Sequence, residues 1–184
     1  GPAAAGWLAG HDLSLALYAA AALPLLALAV VWLMLPATRP AVAQRPPGAQ
    51  PMGLFDARLR VAALTGFAAM GSVAIAQVLV GFFAIDRLGL SLPEGARIAG
   101  LALTSVGCAL IVSQQCVMRF NTVPMARWIT LGALIAGGGF MAVAAVQSAA
   151  MLLACYGTMA FGMGLIFPNF QAMAANAVQA HEQG

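Results

Sequence analysis

The stretch PATRPAVAQRPPGAQPMGLFDARLR, residues 36–60, decides how this chain is read, because it is the one long segment whose composition would be at home in water. It holds Arg39, Arg45, Arg58 and Arg60, and the prolines Pro36, Pro40, Pro46, Pro47 and Pro51. Proline fixes φ and removes a backbone donor, so such a run reads as an extended, semi-rigid linker and not as helix interior. On either side lie apolar blocks. Arginines in a short connection between apolar helices mark the cytoplasmic side of a membrane, so the linker is expected there, joining two halves of a bundle.

Composition supports a membrane solvent. The chain is 62% hydrophobic and 7% charged, against roughly 25% charged residues in soluble domains. The net charge of +3 comes from eight arginines and no lysine. These cluster at helix ends, which gives no basic face for nucleic acid. Cys108, Cys116 and Cys155 fall in apolar segments at spacings that fit neither a zinc site nor a redox pair, and read as small buried hydrophobes. No metal site, cofactor motif or Ser/His/Asp arrangement is present, and the chain reads as a non-enzyme.

Working outward, residues 13–35 form an apolar run long enough at 1.5 Å per residue to cross roughly 30 Å of hydrocarbon. Residues 61–85, 98–117, 128–146 and 149–167 give four more spans, the last continuing as helix to 180, and residues 1–10 read as the end of another. The expected fold is therefore an all-α polytopic membrane protein of five complete spans and one partial. With the linker inside, Arg119 and Arg127 also fall inside, while Arg87 and Arg97 fall outside with Asp12, Asp86 and Glu94. Six arginines against two agree with that orientation.

Polar residues are unevenly spread. Residues 13–35 and 128–146 are nearly devoid of them and are expected to face lipid, whereas Thr65, Ser72, Gln77, Thr104, Ser105, Ser113, Tyr156, Thr158, Asn169 and Gln171 place the other three spans toward protein or a cavity. Gly132, Gly137, Gly138 and Gly139 in one helix, and Gly157, Gly162 and Gly164 in another, suit close helix approach. Gly162, Gly164 and Pro168 in GMGLIFPNF are also read as an interruption of an apolar helix of the kind that marks a transporter's binding region. Gln77, Asn169 and Gln171 are the candidate substrate contacts, because an amide donates and accepts without the desolvation cost of a charge. Phe67, Met70, Tyr156, Met163 and Phe167 are candidates for an adaptable apolar wall. Tyr156, Met163, Phe167 and Phe170 recur at helical spacing on one face.

Two motifs carry a resemblance. Residues 1–6, GPAAAG, are similar to the tail of the GPxxGG antiporter motif, with Ala5 in place of the first closing glycine. Residues 162–184, GMGLIFPNFQAMAANAVQAHEQG, resemble the end of the tenth helix of tetracycline-type exporters, with Pro168, Gln171 and Ala172 in its core and Glu182, Gln183 and Gly184 at its close. The chain thus resembles the major facilitator superfamily, and within it the drug/proton antiporters.

That resemblance implies a partial major facilitator fold. Residues 1–35 would end the first six-helix bundle, 36–60 would be the central cytoplasmic linker, and 61–184 would be helices seven to ten. It implies proton-coupled efflux of small hydrophobic or amphipathic compounds by alternating access; the substrate contacts expected from the residues themselves are Gln77, Tyr156, Phe167, Asn169 and Gln171. It further implies a monomer in a bacterial cytoplasmic membrane, with protons and a small-molecule substrate as partners besides lipid. The loop after residue 117 departs from the family's gating motif, since Arg119 and Arg127 stand there without an acidic residue. Uptake or exchange of a metabolite is the alternative within the fold, and a membrane scaffold or membrane enzyme is the alternative outside it.

Overall fold

A computed structural model describes residues 13–34 and 56–178. Five helices make up these residues: α1 (Leu13–Met34), α2 (Arg60–Asp86), α3 (Leu92–Arg119), α4 (Met125–Val143) and α5 (Ala149–Asn176). Helices α2 to α5 are each long and apolar enough to cross a membrane. α1 adds 22 residues without a charged side chain, and its described side chains, such as Leu25 and Trp32, are exposed. The partial helix expected at 1–10, most of the linker and the close of the second motif lie outside the described residues.

α5 is the hub. In its most apolar window 56% of the residues are buried inside the protein, against 17% in each of α2, α3 and α4. The reason is legible in GMG. Successive residues of a helix turn by about 100°, so positions two apart point to nearly opposite sides. Gly162 faces α4, where an added Cβ would lie 2.5 Å from both the Ala136 nitrogen and the Gly132 oxygen. Gly164 faces α3, where a Cβ would collide with the Ser113 hydroxyl. Gly162 thus lets α5 meet the α4 backbone directly and Gly164 makes room for the Ser113 side chain of α3, which matters where lipid is as apolar as leucine and supplies no hydrophobic drive between helices.

The same geometry corrects the reading of GMGLIFPNF as a break. α5 runs as one α-helix from Ala149 to Asn176 with Pro168 inside it. Asn169 Nδ2 donates to the Leu165 carbonyl at 2.7 Å, adding a donor beside the turn where the proline lacks one.

Polarity is also a poorer guide to burial than expected. The polar-poor α4 makes extensive close packing on α5 through Gly132, Ala136 and Gly139, and only its opposite face, with Leu134 and Met141, is exposed. Hydroxyls that seemed to ask for a cavity are satisfied within their own helices: Thr65, Ser72, Thr104 and Thr158 each donate to the carbonyl four residues earlier. A hydroxyl bonded back in this way is not a marker of which face is inside.

Helix ends differ from the expected ones where capping intervenes. α3 begins at Leu92, six residues before the expected start, because Glu94 reaches back to accept from both the Ser91 N–H (3.1 Å) and the Ser91 hydroxyl (2.6 Å). Gly89, at φ +63°, makes the preceding turn. Before α2, Arg58 holds the half-buried Asp56 carboxylate at 2.8 Å and so keeps its pKa below the usual 3.8.

Gly162→Ala is expected to destabilise the intact protein by about 1–3 kcal/mol, the usual cost of overpacking, because backbone atoms of α4 block the methyl group. Gly138→Ala, where the added Cβ meets nothing within 4 Å, is expected to be neutral or slightly stabilising. Thermal unfolding of both variants in detergent checks the contrast.

Candidate functional site

α2, α3 and α5 do not close on one another along their whole length. Between them lies a cleft of about 80 Å³. α5 supplies its wall because Tyr156, Met159, Ala160, Met163 and Phe167 recur at spacings of three and four and fall on one stripe of the helix. α2 supplies Val73, Ala76 and Gln77, and α3 supplies Leu103, Val106 and Leu110. Phe140 of α4 completes it.

No residue of the lining is charged. The volume is below the roughly 150 Å³ of an engineered cavity that admits benzene, so the cleft has room for a substituent and not for a whole drug-sized molecule. Methionines and aromatic rings give it a polarizable, adaptable surface.

Two polar groups stand in the lining, and their situations differ. Tyr156 is 3% exposed, and its hydroxyl donates to the Ala76 carbonyl of α2 at 2.8 Å. The phenol proton is therefore committed to the protein. Gln77 is exposed to the cleft and makes no hydrogen bond with any described residue.

Of the five substrate contacts expected from sequence, the structure brings Gln77, Tyr156 and Phe167 together here. Asn169 is buried outside the cleft with its amide turned to Leu165, and Gln171 is exposed farther along α5. Of the expected apolar wall, Met163 is in the cleft. Phe67 and Met70 line a separate groove beside Gly66 and Phe170, where the Phe170 ring meets Phe167 edge-on at 6.1 Å.

Sequence reasoning missed Met159, Val106, Leu110 and Phe140. Met159 stands three residues after Tyr156 and four before Met163, so the helical stripe already in view contained it. The α3 and α4 residues carried no such signal, since their neighbours are equally apolar.

With four helices of spanning length around a cleft, the family model for the Major Facilitator Superfamily matches residues 1–184. The chain belongs to the Major Facilitator Superfamily. No curated protein and no solved structure matches it. Members of this superfamily are membrane transporters and not enzymes, and this major facilitator chain is accordingly an integral membrane protein of that transporter family. The uncharged cleft around Gln77 is its candidate site.

Asn169→Ala is expected to lower the thermal stability of the intact transporter by about 1 kcal/mol, one hydrogen bond's net worth, with no change in the half-saturating substrate concentration. A shift in half-saturation without loss of stability would instead put that amide in the binding path.

Proposed function

We propose that the intact protein is a secondary active exporter of small hydrophobic or amphipathic compounds, coupled to protons and working by alternating access. The observation that carries this reading is the chemistry of the cleft. Its lining has no charge and several thioether and aromatic groups, and one carboxamide, Gln77, is open for hydrogen bonding. Such a wall suits neutral molecules and lipophilic cations that insert an apolar group. An anionic metabolite would find no cation there to offset its desolvation, which favours export of apolar compounds over uptake of organic acids.

The resemblance of residues 162–184 to tetracycline-type exporters supports the drug-export version and the choice of the proton as coupling ion. Asp86 and Glu94 stand at helix ends and outside the lining, so the cleft residues themselves are assigned to substrate and not to proton transfer. Arginine asymmetry agrees with a cytoplasmic linker, and a bacterial cytoplasmic membrane is the proposed location, with the monomer as the working unit.

Cells expressing the intact protein are expected to accumulate less ethidium and less tetraphenylphosphonium than control cells, with accumulation restored by a protonophore. Unchanged accumulation across a panel of dyes and antibiotics would overturn the drug-export reading.

A further inference from the structure

Tyr156 and Gln77 line the same cleft, yet only Gln77 has a hydrogen-bond donor to spare. The Tyr156 ring is buried in a cluster with Val80, Ala84, Leu152 and Met159, and its hydroxyl reaches across to the Ala76 carbonyl. Ala76 immediately precedes Gln77. The bond therefore holds α2 at the very turn that carries the open carboxamide.

Packing also holds α2 here: Val80 and Ala84, one and two turns on, are buried in the same cluster, and the hydrogen bond adds a fixed polar anchor to that packing. Val78 and Leu79, on the same turn, are exposed at 64% and 51%. Gly66, whose added Cβ would lie 2.9 Å from the Phe170 ring, marks another close approach to α5, but ten residues of helix, or roughly 15 Å, separate it from Ala76. A helix with side chains has a radius of about 5–6 Å, so a rotation of about 20° would carry a side-chain atom at its rim through about 2 Å. That displacement is enough to break a hydrogen bond to a bound molecule.

We propose that Tyr156 is a positioning residue: its hydroxyl, by holding the Ala76 carbonyl, fixes the rotation of α2 together with the buried Val80 and Ala84, and thereby aims the Gln77 carboxamide at one polar group of an otherwise apolar substrate. The proposal rests on the reading of the cleft as the substrate site, and it deepens that reading. It assigns hydrogen-bond recognition to Gln77 alone and gives Tyr156 an indirect part in specificity. The matching substrate class is a neutral or cationic amphiphile with a carbonyl, amide or hydroxyl beside its apolar body.

Two probes that differ by one amide test it: tetraphenylphosphonium and its analogue with a carboxamide on one ring. The quantity read is the ratio of their half-saturating concentrations for transport by the intact protein in proteoliposomes. Tyr156→Phe is expected to move that ratio against the carboxamide probe by roughly three- to tenfold, the net worth of one hydrogen bond. Gln77→Leu is expected to do the same, and the double variant is expected to go no further than Gln77→Leu, because both act through one contact. An unchanged ratio in Tyr156→Phe, or effects of the two substitutions that add, would overturn the proposal.

If the unmodified protein transports neither probe, the export reading fails for this chemistry, and labelling decides the positioning separately. In a background with Cys108, Cys116 and Cys155 replaced, the reactivity of Gln77→Cys toward a water-soluble maleimide is expected to change at least threefold on adding Tyr156→Phe. Leu110→Cys, on α3, serves as the control for general opening of the cleft. Equal rates at position 77 with and without the tyrosine hydroxyl, or equal changes at both positions, would contradict it.

Discussion

The described bundle depends on close contact at small residues around α5. In water an apolar helix is driven against its neighbours, but in lipid that drive is absent and close van der Waals approach must take its place. Gly162 against Gly132 and Ala136, and Gly164 against Ser113, meet this need on two opposite sides of one helix. Gly139 against Met159 extends the α4 seam by about one further turn. With α5 fixed between α3 and α4, its third face is left to meet α2, and there the packing is thinner and side chains of larger volume stand between the helices. The cleft is the consequence of that change from glycine to Tyr156, Met159, Met163 and Phe167 around a single helix.

Much of this architecture was legible in the sequence. Length and apolarity gave the helices α2 to α5 to within a few residues at most ends, because a membrane span must satisfy its own backbone and so has a minimum length. The start of α3 was misjudged because Pro93 and Gly95 look like loop punctuation. Pro93 in fact sits in the first turn, where its missing N–H costs nothing, and the Ser91–Glu94 pair fixes the helix start. Of the two readings of GMGLIFPNF, close approach holds at Gly162 and the interruption at Pro168 does not, since α5 is continuous through it.

The candidate site was partly legible for a related reason. Residue type identified Gln77 as a costly group in a membrane helix, and helical spacing gathered Tyr156, Met163 and Phe167 on one face. It could not separate Asn169, which turns its amide back to Leu165, from Gln77, which does not. A count of polar residues per helix assigned α4 to lipid, which fits its exposed Leu134 and Met141, but it could not show the packed side at Gly132, Ala136 and Gly139. Local hydrogen bonding and contact with a neighbouring helix are properties of position, and a single sequence shows them only where spacing is strongly periodic.

The central claim is that the cleft between α2, α3 and α5 lies on the path of a transported molecule, while the outer face of α4 lies in lipid. The most direct measurement compares single cysteines at Phe167 and Leu134 in the otherwise cysteine-free intact protein, treated in membranes with a water-soluble thiol reagent. Phe167→Cys is predicted to react, and to react more slowly as tetraphenylphosphonium is added, while Leu134→Cys stays unreactive. A Phe167→Cys that is as inert as Leu134→Cys, or that reacts at a rate no probe alters, would contradict the account.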